Sequence, residues 1–393
     1  MTSSTTAVPD RPAAAAPDAS GVALRDFSML LALLAVWGFF YAMNPAFLGA
    51  RNLSNLAVEL SITAVLSLGM LLIILTGQID LSIGSGVGLF GGVAAVLVFH
   101  HGWPAGGALA VAAAAAVAVW LAMGALIVRQ KVPAFIITLA GLLIKGLHWL
   151  VIGSATVPVQ VGGQPNALSV LTTWFLPAWA GLALAAAVWL AIVVGTLRGR
   201  QRRAAFDLSV EPGDVTFARL LIAGQLLLLF VLVCNQYRGV PLSAVLLGVV
   251  AAAVWVVTRH TRLGRYCYAV GGNEEAALLA GVPVGKVVIA AFGVMGLLTA
   301  LGGFMQTAYA GASTTTIGQL LELDAIAACV IGGASLKGGR GTVLGVLFGS
   351  LIMASLINGM TLLAVTPETK LIARGAVLAL AVWLDVRLAR PPA

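Results

Sequence analysis

Asp80 stands in the stretch Gly77-Gln78-Ile79-Asp80-Leu81-Ser82-Ile83-Gly84-Ser85-Gly86, a polar interruption between two apolar runs. An ionisable side chain at membrane depth is expensive and usually faces a route for ions or solutes. The same carboxylate could equally cap the helix that follows, a purely structural task. Both readings stand, and Gln78 and Ser82 join Asp80 as candidates to line a substrate pathway. Glu322 and Asp324 open a later apolar run and Asn358 lies inside the next, so all three are further pathway candidates. Their structural alternatives are interfacial caps for the carboxylates and an interhelical hydrogen bond for the amide.

A second constellation is the polar stretch of residues 259–286, RHTRLGRYCYAVGGNEEAALLAGVPVGK, set between two apolar runs. Residues 273–280 are good helix formers. Asn273 suits the N-cap, Glu274 and Glu275 oppose the dipole in the first turn, and Gly281 ends the helix as a C-cap would. A short capped helix projecting from a membrane is a docking element for something soluble, or else a surface helix with no partner.

Other chemistry is missing. GVPVGKV at 281–287 has three residues between its glycines instead of four and no Ser or Thr after Lys286, so it is not a phosphate loop. H-E-x-x-H and G-x-S-x-G are lacking, and His100, His101, His148 and His260 form no ligand pattern and read as loop or interfacial residues. Cys234, Cys267 and Cys329 are far apart and read as free thiols. No catalytic residue, metal site or cofactor is expected, which weighs against an intramembrane enzyme.

The elements that hold these groups follow from composition. The 393 residues are 60% hydrophobic and 9% charged, against about a quarter charged in soluble domains, and the mean hydropathy is +1.04. With about 20 apolar residues per crossing, the chain reads as an all-α polytopic membrane protein of 10–12 transmembrane helices, with no sizeable soluble domain. Apolar runs fall near 27–43, 60–77, 82–99, 105–128, 134–152, 171–197, 219–235, 241–258, 287–308, 322–336, 341–363 and 370–386. The stretches at 77–86 and 322–341 are polar and glycine-rich enough to be broken or re-entrant. Glycines recur as Gly84, Gly88, Gly92 and as Gly341, Gly345, Gly349, each set predicting one smooth helix stripe and, with Phe90 and Phe348 nearby, hinting at an internal duplication.

Residues 1–26, rich in Ala, Pro, Ser and Thr, read as a disordered cytoplasmic tail. The run after it is too long for a signal core and lacks a clear cleavage site. The rest, 27–388, forms one transmembrane domain. Of the 22 Lys and Arg residues, seventeen fall on one side if both termini are cytoplasmic, as the positive-inside rule requires. The net charge of +8 thus sets orientation and lipid contact and implies no nucleic acid. Five arginines lie in residues 198–219, expected to be a cytoplasmic linker, and residues 259–286 form a second cytoplasmic loop.

That loop carries Glu275, Ala276, Ala277, three further residues and Gly281, and so resembles the coupling loop of ABC importer permeases. The Leu-Pro usual downstream is absent, as in the sugar-permease branch. IDLSIGS at 79–85 and the stretch 322–360 resemble the ribose and xylose monosaccharide permeases, with Ile83 where that family often has Val. The likeness covers nearly the whole chain after residue 50. NQYRGVP at 235–241 and the extra arginine-rich linker bring it nearest to the longer, xylose type of that branch.

The resemblance implies the permease subunit of an ATP-driven importer of D-xylose or a related pentose, working by alternating access in the inner membrane. It implies a homodimer, ABC ATPase subunits on the cytoplasmic side and a periplasmic sugar-binding protein. Asn273, Glu274, Glu275, Ala276, Ala277 and Gly281 become the residues that meet the ATPase. The alternative is a secondary, ion-coupled transporter of a small polar solute, for which Lys145, the one charge near the middle of a span, is little support.

Overall fold

The computed structural model describes residues 19–388, with side chains from Met29 to Trp383. Of the tail expected at 1–26, residues 1–18 lie outside the described residues, and the remainder is already helical. Helix α1 spans Ala19–Met43, and a 3-10 turn, Pro45–Leu48, leads from it into α2, Ala50–Leu75. There follow α3 (Ile83–Phe99), α4 (Ala105–Gln130), α5 (Ala134–Leu139), α6 (Gly141–Val151), α7 (Val170–Thr173) and α8 (Ala178–Ala205). The second half contains α9 (Gly213–Asn235), α10 (Leu242–His260), α11 (Arg262–Gly272), α12 (Glu274–Leu279) and α13 (Val284–Ala310). It ends with α14 (Leu321–Ile331), α15 (Val343–Leu362) and α16 (Pro367–Leu388).

Eight segments among the described residues are long and apolar enough to cross a bilayer, α5 and α6 counting together as one, and Met29–Met43 and Ile83–Phe99 are shorter apolar helices. The fold is the all-α polytopic one expected from composition. Two antiparallel pairs of two-residue strands add to it, β1 (Val157–Pro158) with β4 (Ala312–Ser313), and β2 (Phe175–Leu176) with β3 (Val240–Pro241). They staple segments that would otherwise expose unpaired backbone groups.

Helix α2 is the spine. From Ala64 to Leu75 it is apolar apart from Ser67, and helices α10, α13, α14 and α15 pack around it, as befits a stretch with no polar side. Nine of its apolar residues, Ala64, Val65, Leu66, Leu68, Met70, Leu71, Ile73, Ile74 and Leu75, are fully buried.

The run near 322–336 is not a full crossing, an outcome its polar, glycine-rich composition allowed: α14 has 11 residues and stops at Gly332. Other expectations change. The linker of 198–219 is mostly helical, because α8 runs on to Ala205 and α9 begins at Gly213. Arg200 clamps this turn, donating to the Glu211 carbonyl at 2.6 Å and to Thr216, while Arg219 pairs with Glu211 at 2.6 Å. The stripe through Gly84, Gly88 and Gly92 is real: Gly88 and Gly92 face His148 of α6, a Cβ at Gly88 coming within 2.7 Å of it, while Gly84 faces Gly318 and Glu322. The second stripe is shorter than expected, because Gly341, at φ 154°, precedes α15. Phe90 is buried against Trp120 whereas Phe348 is exposed, so the two are not equivalent. His148 is buried and shares a 3.2 Å hydrogen bond with Ser313, so it is neither a loop nor an interfacial residue. The three cysteines are free and buried.

Candidate functional site

The six pathway candidates fall in three places. Asp80 and Ser82 form the first, in the break between α2 and α3. Asp80 Oδ1 accepts from the Ser82 amide at 2.8 Å and from the Ser82 hydroxyl at 2.6 Å, and its Oδ2 accepts from Trp120 Nε1 of α4 at 2.6 Å. Both residues are fully buried. Ser82 holds the N-cap position of α3, so Asp80 closes the turn just before the helix and does not cap the helix itself. Thr138 of α5 braces the same break by donating to the Ile79 carbonyl at 3.4 Å and accepting from the Leu81 amide at 3.1 Å. Gln78 is half-buried at the start of the break, its amide donating to the Ile73 carbonyl at 3.2 Å.

Glu322 and Asp324 share the first turn of α14 but face opposite ways. Glu322 packs over Gly84 and lines a cavity of about 310 Å³ with Ser85, Lys145, His148 and Gln319. This cavity gathers a cation, a carboxylate, a hydroxyl and an amide between α3, α6 and the segment entering α14. Asp324 is buried towards α16, where Arg374 Nε lies 3.6 Å from its Oδ1, an ion pair without a hydrogen bond.

Asn358 forms the third place. Its carbonyl accepts from Asn52 Nδ2 at 2.8 Å, and its amide donates to Glu59 Oε2 at 3.1 Å, whose Oε1 accepts from the Tyr309 hydroxyl at 2.7 Å. The network ties α2, α13 and α15 together at one end. It fits the interhelical reading of Asn358, and Asn52, Glu59 and Tyr309 are members that spacing alone did not reveal. Their partners are 250 to 306 residues apart, beyond any periodic signal. Lys145 did carry a signal, as a charge inside an apolar run.

The stretch at 259–286 folds as two helices. Asn273 caps α12, its Oδ1 accepting from the Ala276 amide at 2.9 Å, with Glu274 and Glu275 in the first turn as expected. Gly281 follows at φ 78°, in the left-handed region where glycine is least strained. A Cβ there would meet nothing within 4 Å, so the position is dictated by the backbone alone within this chain. Leu279 is 90% exposed and Leu278 64%. Helix α11 seats this element on the bundle: Tyr268 donates to the Gly341 carbonyl at 2.8 Å, and Gly271 approaches Leu75 and Gly339 so closely that any Cβ would strike backbone. The Gly339 amide in turn donates to the Leu75 carbonyl at 3.1 Å. Thus α12, α11, the end of α2 and the loop before α15 pack in succession, and Gly338 of that loop lies against Gly77 at the start of the break that holds Asp80.

Comparison with known proteins places this architecture. The model of a family described as branched-chain amino acid transport system / permease component matches residues 52–382. The xylose transport system permease protein XylH of Escherichia coli K12 is 39% identical over 363 residues, 92% of each chain. The XylH protein of Haemophilus influenzae is 38% identical over 371 residues, 93% of this chain and 96% of its own. The ribose import permease protein RbsC of Escherichia coli K12 is 34% identical over 365 residues, 92% of this chain and 94% of its own. No solved structure matches the chain at comparable stringency. A match spanning nearly the whole bundle, together with relatives above 30% identity over nine-tenths of their length, means that the chain belongs to this family of membrane permease components.

Proposed function

We propose that the chain is the membrane-spanning subunit of an ATP-driven monosaccharide importer, carrying xylose or a related pentose and performing no catalysis itself. The family description names amino acids, but the relatives that cover the chain end to end are named for xylose and ribose. A homodimer, an ABC ATPase on the cytoplasmic side and an extracytoplasmic sugar-binding protein complete the system, with both termini of this chain cytoplasmic.

The observation that carries the reading is α12. Two leucines stand bare at the tip of a capped helix outside the membrane, an arrangement that costs solubility unless a partner covers it. Motion of that partner passes through α11 to the end of α2 and the loop before α15. The end of α2 runs on through the break at Asp80 into α3, whose Gly84 and Ser85 line the cavity at Lys145 and Glu322. The cavity is the point where sugar hydroxyls exchange water for protein in transit, and Ser85, Gln319, Lys145 and Glu322 offer donors and acceptors for them.

The test compares co-purified ATPase and sugar uptake for wild type, Gly281→Val, Glu275→Arg and Leu279→Glu at matched expression. Each variant is expected to insert normally while losing ATPase or coupled uptake. Full uptake with full ATPase recovery in all three variants would overturn the docking role. Gradient-driven uptake by the chain alone would transfer it to the secondary transporters.

A further inference from the structure

Helices α8 and α9 form a hairpin that touches the bundle through α9 and α2 and leaves most of α8 uncovered. Trp189 of α8 donates to the Leu220 carbonyl of α9 at 3.0 Å, and the α8–α9 hairpin joins α10 near one end, where Gly181 meets Val240 and Val231. Between the hairpin and α10 an apolar groove of about 980 Å³ remains, running from Gly181 and Val240 to Thr196, Trp255 and His260. Its wall on α8 uses Leu184, Val188, Ile192 and Gly195, one helical stripe.

That stripe does not stop where the groove does. Steps of three and four residues carry it from Gly195 and Thr196 to Gly199 and then to Arg202 and Arg203, roughly 10 Å farther along the axis. On α10 the stripe through Gly248, Ala252 and Trp255 continues to Arg259. Arg202, Arg203 and Arg259 are all exposed. Trp255 and His260 stand at the same mouth with ring centroids 4.7 Å apart, an indole at the height where aromatic belts meet headgroups. The apolar trough therefore ends in a basic rim. Of the linker carboxylates, Glu211 is held by Arg219, leaving Asp207 and Asp214 on the turn beyond.

We infer that this groove is a specific site for an anionic phospholipid of the cytoplasmic leaflet, with acyl chains along α8, α9 and α10 and the phosphate between Arg202, Arg203 and Arg259. The groove's apolar walls select hydrocarbon, and its charge selects the headgroup. The site rests on the membrane reading of the chain and is independent of which solute is carried. It gives the α8–α9 hairpin a function: lipid mortar replaces the side-chain packing that the hairpin lacks against α10.

The experiment uses the purified full chain in nanodiscs of equal parts phosphatidylethanolamine and phosphatidylglycerol, with tightly bound lipid counted by native mass spectrometry. Phosphatidylglycerol should be enriched on the wild type. Arg202→Gln, Arg203→Gln and Arg259→Gln should each lower the enrichment about fivefold, the equivalent of the ~1 kcal/mol that one basic residue contributes at an anionic surface. A Cβ at Gly195 or Gly248 meets nothing within 4 Å, so Gly195→Leu and Gly248→Leu should fold and expel the lipid without changing the basic rim. No headgroup preference, or lipid retention unchanged in both leucine variants, overturns the site. Cross-linking of two chains through a cysteine at Gly248 would assign the groove to a second copy and overturn it as well.

Discussion

Trp120 Nε1 and Asp80 Oδ2 lie 2.6 Å apart, joining the middle of α4 to the break between α2 and α3. This bond lets a carboxylate sit fully buried at membrane depth, because three donors surround it. Asn at position 80 has one acceptor oxygen and would turn its amide towards a donor. Asp80→Asn and Trp120→Phe are each expected to lower stability by about 1–3 kcal/mol, seen as a lower Tm in detergent. The double variant should be little worse than the poorer single one, since both remove the same contact. Additive losses would separate the two residues.

Gly281 tests backbone against space. Nothing in the chain obstructs a side chain there, so Gly281→Asn, which tolerates the left-handed region, should keep coupled uptake. Gly281→Val should lose it by straining the turn after α12. Equal uptake in both variants would show that the turn's conformation does not matter to coupling.

Asn273→Ala should cost α12 about 0.5–2 kcal/mol of local stability, because the Ala276 amide loses its acceptor. Hydrogen exchange over residues 274–279 should speed up while α11 and α13 stay protected, and Asn273→Asp should restore the slow rate. Unchanged exchange would mean that the partner-free helix is held by contacts other than its cap.

The orientation is checked with cysteines. Replacements at Arg202 and at Arg262 should react only with reagent supplied from the cytoplasmic side of intact cells. Reaction of either from outside reverses the topology.

The Glu59 network gives a third expectation for stability. Tyr309→Phe and Asn358→Leu each remove one donor from the Glu59 carboxylate. Each should lower the Tm, with Asn358→Leu the more severe because it also removes the acceptor of one Asn52 Nδ2 hydrogen, the other staying on the Phe47 carbonyl. A milder effect for Asn358→Leu than for Tyr309→Phe would contradict the geometry.

Some of this could be read from spacing and some could not. Asn273, Glu275 and Gly281 were legible because capping and dipole preferences act within one turn of helix. Asp80 announced itself as a charge in an apolar context, but its partner Trp120 did not, since nothing local distinguishes an indole that donates from one that merely fills space. The break between α5 and α6 at Ala140 falls inside an unbroken apolar run. The run from 322 to 336 has the composition of a span but only 11 helical residues, because the backbone turns at Gly332 and Gly333. Hydropathy reports solvent and not path, and it was the glycine-rich, polar composition of 322–341 that marked the stretch as able to break.

The central position of α2 has a consequence for biogenesis. Glu59 meets Tyr309 only after another 250 residues have been made. At roughly 5–20 residues per second that delay is on the order of 10 to 50 s. For that interval the helix destined to be shielded on every side must wait among lipids or insertion machinery, with an acidic side chain still lacking its final donors. The order of synthesis thus opposes the order of burial, and late helices, α13 to α15, are the ones that close the bundle around the second.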